Sequence, residues 1–133
     1  MSPDLLDVAP TMLVVDDEAA ICELIAAVAE GAGFRADCAS ERQDIDRLIG
    51  TFHDITVLDL DLGTRDTDVL RLLAVRAPAS RIVLVSGSSP ETVSDAHRRA
   101  TSYGLRVVGS MRKPFDLAAF RVVLSRCRSV AGA

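Results

Sequence analysis

A chain of 133 residues with 49% hydrophobic residues suits one domain with a packed core and excludes a disordered polymer. A net charge of −4, no tryptophan and few aromatics argue against nonspecific nucleic-acid binding and against a base-stacking surface. No apolar run approaches the ~20 residues of a membrane helix, and an N-terminus with Asp4 and Asp7 but no basic start carries no secretory signal, so no membrane partner and a cytoplasmic location are expected.

Residues 1–10, with Pro3 and Pro10, read as a loose arm. Apolar runs then alternate with helical patterns. Strands are predicted near 11–16, 34–39, 54–59, 81–86 and 105–110. Four of these read as near-continuous Val/Ile/Leu runs covered on both faces, whereas 34–39 alternates and suits a sheet edge. A first helix over about 18–30 carries a stripe of Ile21, Leu24, Ile25 and Val28 and ends at Gly31 and Gly33. A second, about 41–49, buries Ile45, Leu48 and Ile49 and stops at Gly50. A third, about 67–77, buries Val69, Leu70, Leu72 and Leu73 and stops before Pro78. A fourth begins at Pro90 behind a Ser89 cap and stops at Gly104. A fifth runs from about Asp116 to Arg128, and 130–133 form a tail without structural signal. One domain over 11–129 follows.

Five β-α units make an α/β fold with one parallel sheet and right-handed crossovers. The common doubly wound, flavodoxin-like order for five strands is 2-1-3-4-5, which sets strands 1 and 3 side by side at the switch point. The chemistry-bearing residues gather there. Asp16 and Asp17 close the first strand run, and Asp59 closes the third. Carboxylates at the ends of buried strands are costly unless something pairs them. A divalent cation and Lys113, the chain's one lysine, would do so, leaving one aspartate free as a nucleophile. Taken singly, Asp16 or Asp17 could instead cap the first helix, Asp59 could be a loop carboxylate, and Lys113 could be solvated. Cys22, Cys38 and Cys127 show no metal-ligand spacing and read as small buried or half-buried residues. His53 and His97 read as surface or helix-end residues.

Val14-Val15-Asp16-Asp17, Val57-Leu58-Asp59, Leu84-Val85-Ser86-Gly87 and Lys113-Pro114-Phe115, in this order and each at a strand end, resemble the receiver domain of two-component response regulators over roughly residues 11–129. The resemblance implies that Asp59 is the phosphoacceptor, attacking the phosphoryl group of a phosphohistidine. It implies Mg2+ held by Asp17, Asp59 and the backbone carbonyl of Asp61, with Asp16 acting mainly through water. Lys113, Ser86 and Gly87 would bind the phosphoryl group, and the Lys113–Pro114 peptide would be cis. The implied partners are a sensor histidine kinase or a phosphotransfer protein, and a downstream protein target or a missing output domain. Homodimerisation is possible in this family, and nucleic acid would not be bound by the receiver itself.

Three departures stand out. Thr67 takes the place of the glycine usual in the loop after the phosphoacceptor. Asp61 adds a carboxylate at the rim, where it would either repel anionic donors or, the favoured role, act as a base for hydrolysis of the phosphoryl group. Ser110 replaces the aromatic that often lies three residues before the Lys-Pro pair, so a weaker or differently routed response to phosphorylation is expected. Two other functions compete. Asp59-Leu60-Asp61-Leu62-Gly63-Thr64 is similar to the DxDxxT motif of haloacid dehalogenase-type phosphatases, and the altered loop allows a pseudo-receiver that is never phosphorylated.

Overall fold

The computed structural model describes residues 9–62, 65–114 and 116–132, with the backbone alone given for 65–68 and 127–132. The arm over 1–8, the loop position Gly63-Thr64, the side chains of Thr67 and Cys127, and Phe115 of the Lys-Pro-Phe stretch lie outside what is described. Five strands alternate with five helices: β1 Thr11–Val15, α1 Ala19–Gly31, β2 Arg35–Ala39, α2 Arg42–Ile49, β3 Ile55–Asp59, α3 Arg65–Arg76, β4 Arg81–Ser86, α4 Pro90–Ser102, β5 Arg106–Arg112 and α5 Leu117–Gly132. The strands form one sheet, all parallel, in the order β2-β1-β3-β4-β5.

The period-2 alternation of the central strands divides the core into two layers. Met12, Val14, Val57, Val83 and Val85 face one side, where they pack with Cys22, Ile25 and Val28 of α1 and Phe120 and Leu124 of α5. Leu13, Val15, Leu58, Ile82 and Leu84 face the other, against Ile45 and Ile49 of α2, Val69, Leu70 and Leu73 of α3, and Ala96 and Ala100 of α4. Helices thus cover both faces of β1, β3 and β4, which explains why those runs read as continuously apolar.

Several readings of the sequence change here. Leu24 is 41% exposed and leaves the α1 stripe, and Cys22, Ala26 and Ala29 join it because the buried face is centred one residue later. β5 is the second sheet edge, as the order 2-1-3-4-5 requires, but its burial alternates and it is not covered on both faces as its apolar run suggests. It also carries a bulge: Ile82 pairs with Val107 and Val83 with Gly109, so Val108 is an extra, outward-facing residue. Bulges of this kind are frequent at sheet edges, where they bend and blunt the strand. Ser89 stands at the α4 N-cap, yet its hydroxyl faces that of Thr92 at 3.4 Å and caps no backbone amide. Gly33 and Gly104 adopt φ of 96° and 82°, left-handed conformations that close the turns after α1 and α4. α5 continues through Val130 to Gly132, past the point where the sequence pattern stops signalling helix.

His53 is buried, contrary to a surface reading. Its Nε2 lies 2.8 Å from Asp37 Oδ2 on the edge strand β2, and its Nδ1 lies 3.2 Å from the carbonyl oxygen of Thr51. It ties the entry of β3 to β2 at the end of the sheet away from the aspartates, so it serves the scaffold. His97 is exposed on α4.

The docking of α5 supplies a direct test of the layer assignment. Leu124 is fully buried and Val122, two residues away, is 51% exposed. Leu124→Ala is expected to destabilise the fold by about 2–4 kcal/mol, and Val122→Ala by less than about 0.5 kcal/mol. Urea denaturation of both variants checks this, and similar losses would show that α5 is seated on another face.

Candidate functional site

The sheet ladders carry the site residues to one end of the molecule. Leu13 to Val15 and Thr56 to Leu58 are paired in register, so the first residues beyond β1 and the last of β3 emerge together. The ladders continue briefly past the strands: the Leu60 N–H donates to the Val85 carbonyl at 2.7 Å, and the Lys113 N–H donates to the Ser86 carbonyl at 2.9 Å. Asp16, Asp59 and Ser86 are buried there, Asp17 is exposed, and the Lys113 side chain crosses above them. The peptide bond between Lys113 and Pro114 is cis.

Lys113 Nζ lies 3.0 Å from Asp59 Oδ2, 3.5 Å from Asp16 Oδ2 and 3.8 Å from Asp61 Oδ2. One ammonium therefore serves three carboxylates. Asp16 Oδ1 accepts the Glu18 N–H at 2.9 Å, so Asp16 does help to start α1 while its other oxygen looks into the site. Asp59 Oδ1 accepts the Asp61 N–H at 2.9 Å. The two remaining oxygens, Asp16 Oδ2 and Asp59 Oδ2, are buried and receive no well-directed hydrogen bond among the described residues. Carboxylate oxygens of Asp16, Asp17 and Asp59 also lie within 4.8 Å of one another. An oxygen-only donor set with unsatisfied, partly buried carboxylates fits a hard divalent cation such as Mg2+.

Burial pushes the Asp59 carboxyl up to about 6; the Asp61 N–H and Lys113 oppose this, and the nearby Asp16 charge adds to it. Burial alone would lower the Lys113 ammonium, but the contact with Asp59 and the charges of Asp16 and Asp61 outweigh it and raise it above the ordinary value. Burial likewise works against ionised Asp61, yet the Gly87 N–H, the Ser88 hydroxyl and Lys113 hold its carboxyl below the usual range. Burial also pushes the Cys22 and Cys38 thiols up, as befits packed residues rather than reactive ones.

Two participants escape a reading of the sequence. The Asp61 side chain, predicted to stand at the rim as a base, is instead folded over the start of the β4–α4 loop. Its Oδ2 accepts the Gly87 N–H at 2.8 Å, and its Oδ1 accepts the Ser88 hydroxyl at 2.9 Å and the Ser86 hydroxyl at 3.4 Å. Ser88 carries no signal in the sequence beyond its place in the small polar run Ser86-Gly87-Ser88-Ser89. Gly87 eases this closeness, because a Cβ there would sit 3.3 Å from Asp61 Oδ2, a tight contact, and 3.5 Å from the Lys113 Cβ. Beyond the loop, Ser110 is exposed and lines a cavity of about 250 Å³ with Ser88, Pro90, Val93, Ser94 and Arg112. That cavity marks the space a larger side chain on β5 would fill.

The raised Asp59 carboxyl has a consequence for stability. The folded chain holds this proton more tightly than the unfolded chain, whose value is near 3.8. The ionised carboxylate therefore destabilises the metal-free fold: not at all below about 4, increasingly as pH rises toward 6, and fully above it. Asp59→Asn is expected to stabilise the metal-free protein at pH 7.5 on the order of 1–3 kcal/mol, with the gain vanishing near pH 4. Denaturation with chelator present at both pH values checks this; an equal gain at both would contradict the assigned charge state.

No protein-family model matches the sequence, and no curated protein matches it. Solved structures do match its fold. A response regulator from Colwellia psychrerythraea superposes with a TM-score of 0.80 at 23% identity, over 92% of this chain and 99% of that one. A response regulator from Thermotoga maritima gives 0.73 at 20% identity, over 92% and 99%. A response regulator protein from Burkholderia pseudomallei, solved with a phosphorylated aspartic acid, a calcium ion and citrate, gives 0.70 at 21% identity, over 92% of this chain and 71% of that one. The fold of this chain is that of response-regulator receiver domains.

Proposed function

We propose that this chain is a phosphorylatable receiver, with Asp59 as the phosphoacceptor and Mg2+ as its cofactor. The observation that carries the proposal is the pair of buried oxygens, Asp16 Oδ2 and Asp59 Oδ2, which share the single ammonium of Lys113 at 3.5 and 3.0 Å and accept no other hydrogen bond among the described residues. A scaffold gains nothing in stability from such an arrangement, whereas a phosphoryl-transfer site uses it. Asp16, Asp17 and Asp59 would hold the cation, with the Asp61 carbonyl completing the protein ligands. When bound, the cation would offset the negative charge of the incoming phosphoryl group.

Asp59 Oδ2 attacks phosphorus as the P–N bond of a phosphohistidine breaks, and the imidazole leaves with the bonding electron pair. Lys113, already 3.0 Å from that oxygen, moves its charge onto a phosphoryl oxygen. The Ser86 hydroxyl and the Gly87 N–H, which now donate toward Asp61, supply further donors. Catalysis here is positioning and charge stabilisation, so no general acid is required of the protein. The donor would be a sensor histidine kinase or a phosphotransfer protein in the cytoplasm, and the readout a protein target, an output domain or a homodimer.

The competing phosphatase reading needs the carboxylate two residues after the nucleophile to be free for proton transfer. Asp61 spends its oxygens on the Gly87–Ser88 segment, which favours the receiver.

Acetyl phosphate or phosphoramidate with Mg2+ should label the wild-type chain stoichiometrically and leave Asp59→Asn unlabelled. No labelling of the wild type would leave only an interaction module, and release of phosphate from p-nitrophenyl phosphate over many turnovers would favour the phosphatase. Asp17→Asn should weaken Mg2+ binding more than about tenfold, because it removes a charged ligand while leaving the buried pair intact; titration calorimetry measures the loss.

A further inference from the structure

Asp61 meets a set of donors that its own position in the chain does not explain. Its two carboxylate oxygens are approached by the Gly87 N–H at 2.8 Å, the Ser88 hydroxyl at 2.9 Å, the Ser86 hydroxyl at 3.4 Å and the Lys113 ammonium at 3.8 Å. Ser86, Gly87 and Lys113 are the groups assigned above to the phosphoryl oxygens. An anion on Asp59 would need the same donors at the same time. The Asp61 side chain is 29% exposed, so it is not enclosed by these donors.

We infer that Asp61 is a built-in anion that occupies the phosphoryl-binding donors of the resting site and must be displaced when Asp59 is phosphorylated. The inference rests on the receiver reading and concerns the regulation of that same site. It has three physical consequences. Charge-assisted hydrogen bonds to a carboxylate hold the 86–88 segment in a ligand-like arrangement before any phosphoryl group arrives. Phosphorylation is then an exchange of one anion for another, so the free energy of modification is reduced by the bonds Asp61 gives up. The group set free is the Asp61 carboxylate itself, which swings out at the β3–α3 loop. This gives the site a moving part on that loop, where the small Ser110 on β5 offers none.

The test uses the full chain and beryllofluoride with Mg2+ as the phosphoryl probe, with wild type, Asp61→Asn and Asp61→Ala compared by calorimetry and by the Gly87 amide resonance. Alanine removes both the charge and the acceptor. Asparagine removes the charge but keeps one oxygen for the Gly87 N–H. The expected result is roughly tenfold tighter probe binding for Asp61→Ala, corresponding to one lost set of charge-assisted bonds, with a smaller gain for Asp61→Asn. In the resting protein the Gly87 amide proton should lie downfield in wild type and move upfield in Asp61→Ala. Equal affinities in all three proteins overturn the inference. So do tighter binding with an unmoved Gly87 amide, because that pattern belongs to charge repulsion across the site without occupancy of the donors. If neither wild type nor Asp61→Ala binds the probe, the receiver reading itself fails and the inference falls with it.

Discussion

Everything at the open end of the sheet depends on a shortage of positive charge. Asp16, Asp59 and Asp61 converge on a single ammonium, that of Lys113, and Asp17 adds a fourth carboxylate beside the first two. Buried carboxylates that are only partly compensated cost several kcal/mol in ordinary scaffolds. Here the cost is spread over three devices: Asp59 is raised toward neutrality, two of the aspartates each take a backbone N–H from the following turn, and Asp61 turns away to the β4–α4 loop. Each device is reversible. Under the proposed function a cation would restore the balance at Asp16, Asp17 and Asp59, and a phosphoryl group would redraw it at Lys113.

The scaffold tolerates this because the charge sits where packing ends. β1, β3 and β4 are covered on both faces by two separate apolar layers, and their burial is nearly complete up to the last strand residue. Cross-strand bonds from Leu60 and Lys113 then carry the ladder one step further, so the functional side chains leave a rigid edge and not a loose loop. Such placement at the carboxyl ends of parallel strands follows from the switch point between β1 and β3.

Much of this was legible before any coordinates. Strand and helix order, the parallel sheet and the gathering of Asp16, Asp17, Asp59 and Lys113 follow from apolar runs that end in charge. What was not legible has physical causes. Val107 and Val108 look like an interior strand because both are apolar, yet the bulge turns Val108 outward, and a bulge has no signature in a run of valines. Leu24 reads as core because helical spacing allows it, but the burial of Cys22 and Ala29 rotates the face that meets the sheet. His53 reads as surface because histidine usually is; its burial depends on a partner, Asp37, that comes from a strand 16 residues earlier. Asp61 reads as a free carboxylate at the rim, but which way its carboxylate turns depends on the Gly87–Ser88 segment, which reaches it only through the fold.

The same dependence bears on how the site transmits a signal. A switch needs two arrangements of one element, each favoured by a different ligand state. On the β5 side the material for this is thin: Ser110 is small and exposed, and the cavity beside it holds no side chain to reposition. On the β3 side a carboxylate is poised between an inner set of four donors and outer solvent. Its inner position is favoured only while those donors lack a better anion. A phosphoryl group carries more charge and more acceptor oxygens than a carboxylate, so under the proposed function it would win the donors, and the displaced group would be attached to the chain two residues from Asp59. Coupling between modification and loop geometry then needs no long path through the core, because the competing groups share Gly87, Ser86 and Lys113 directly.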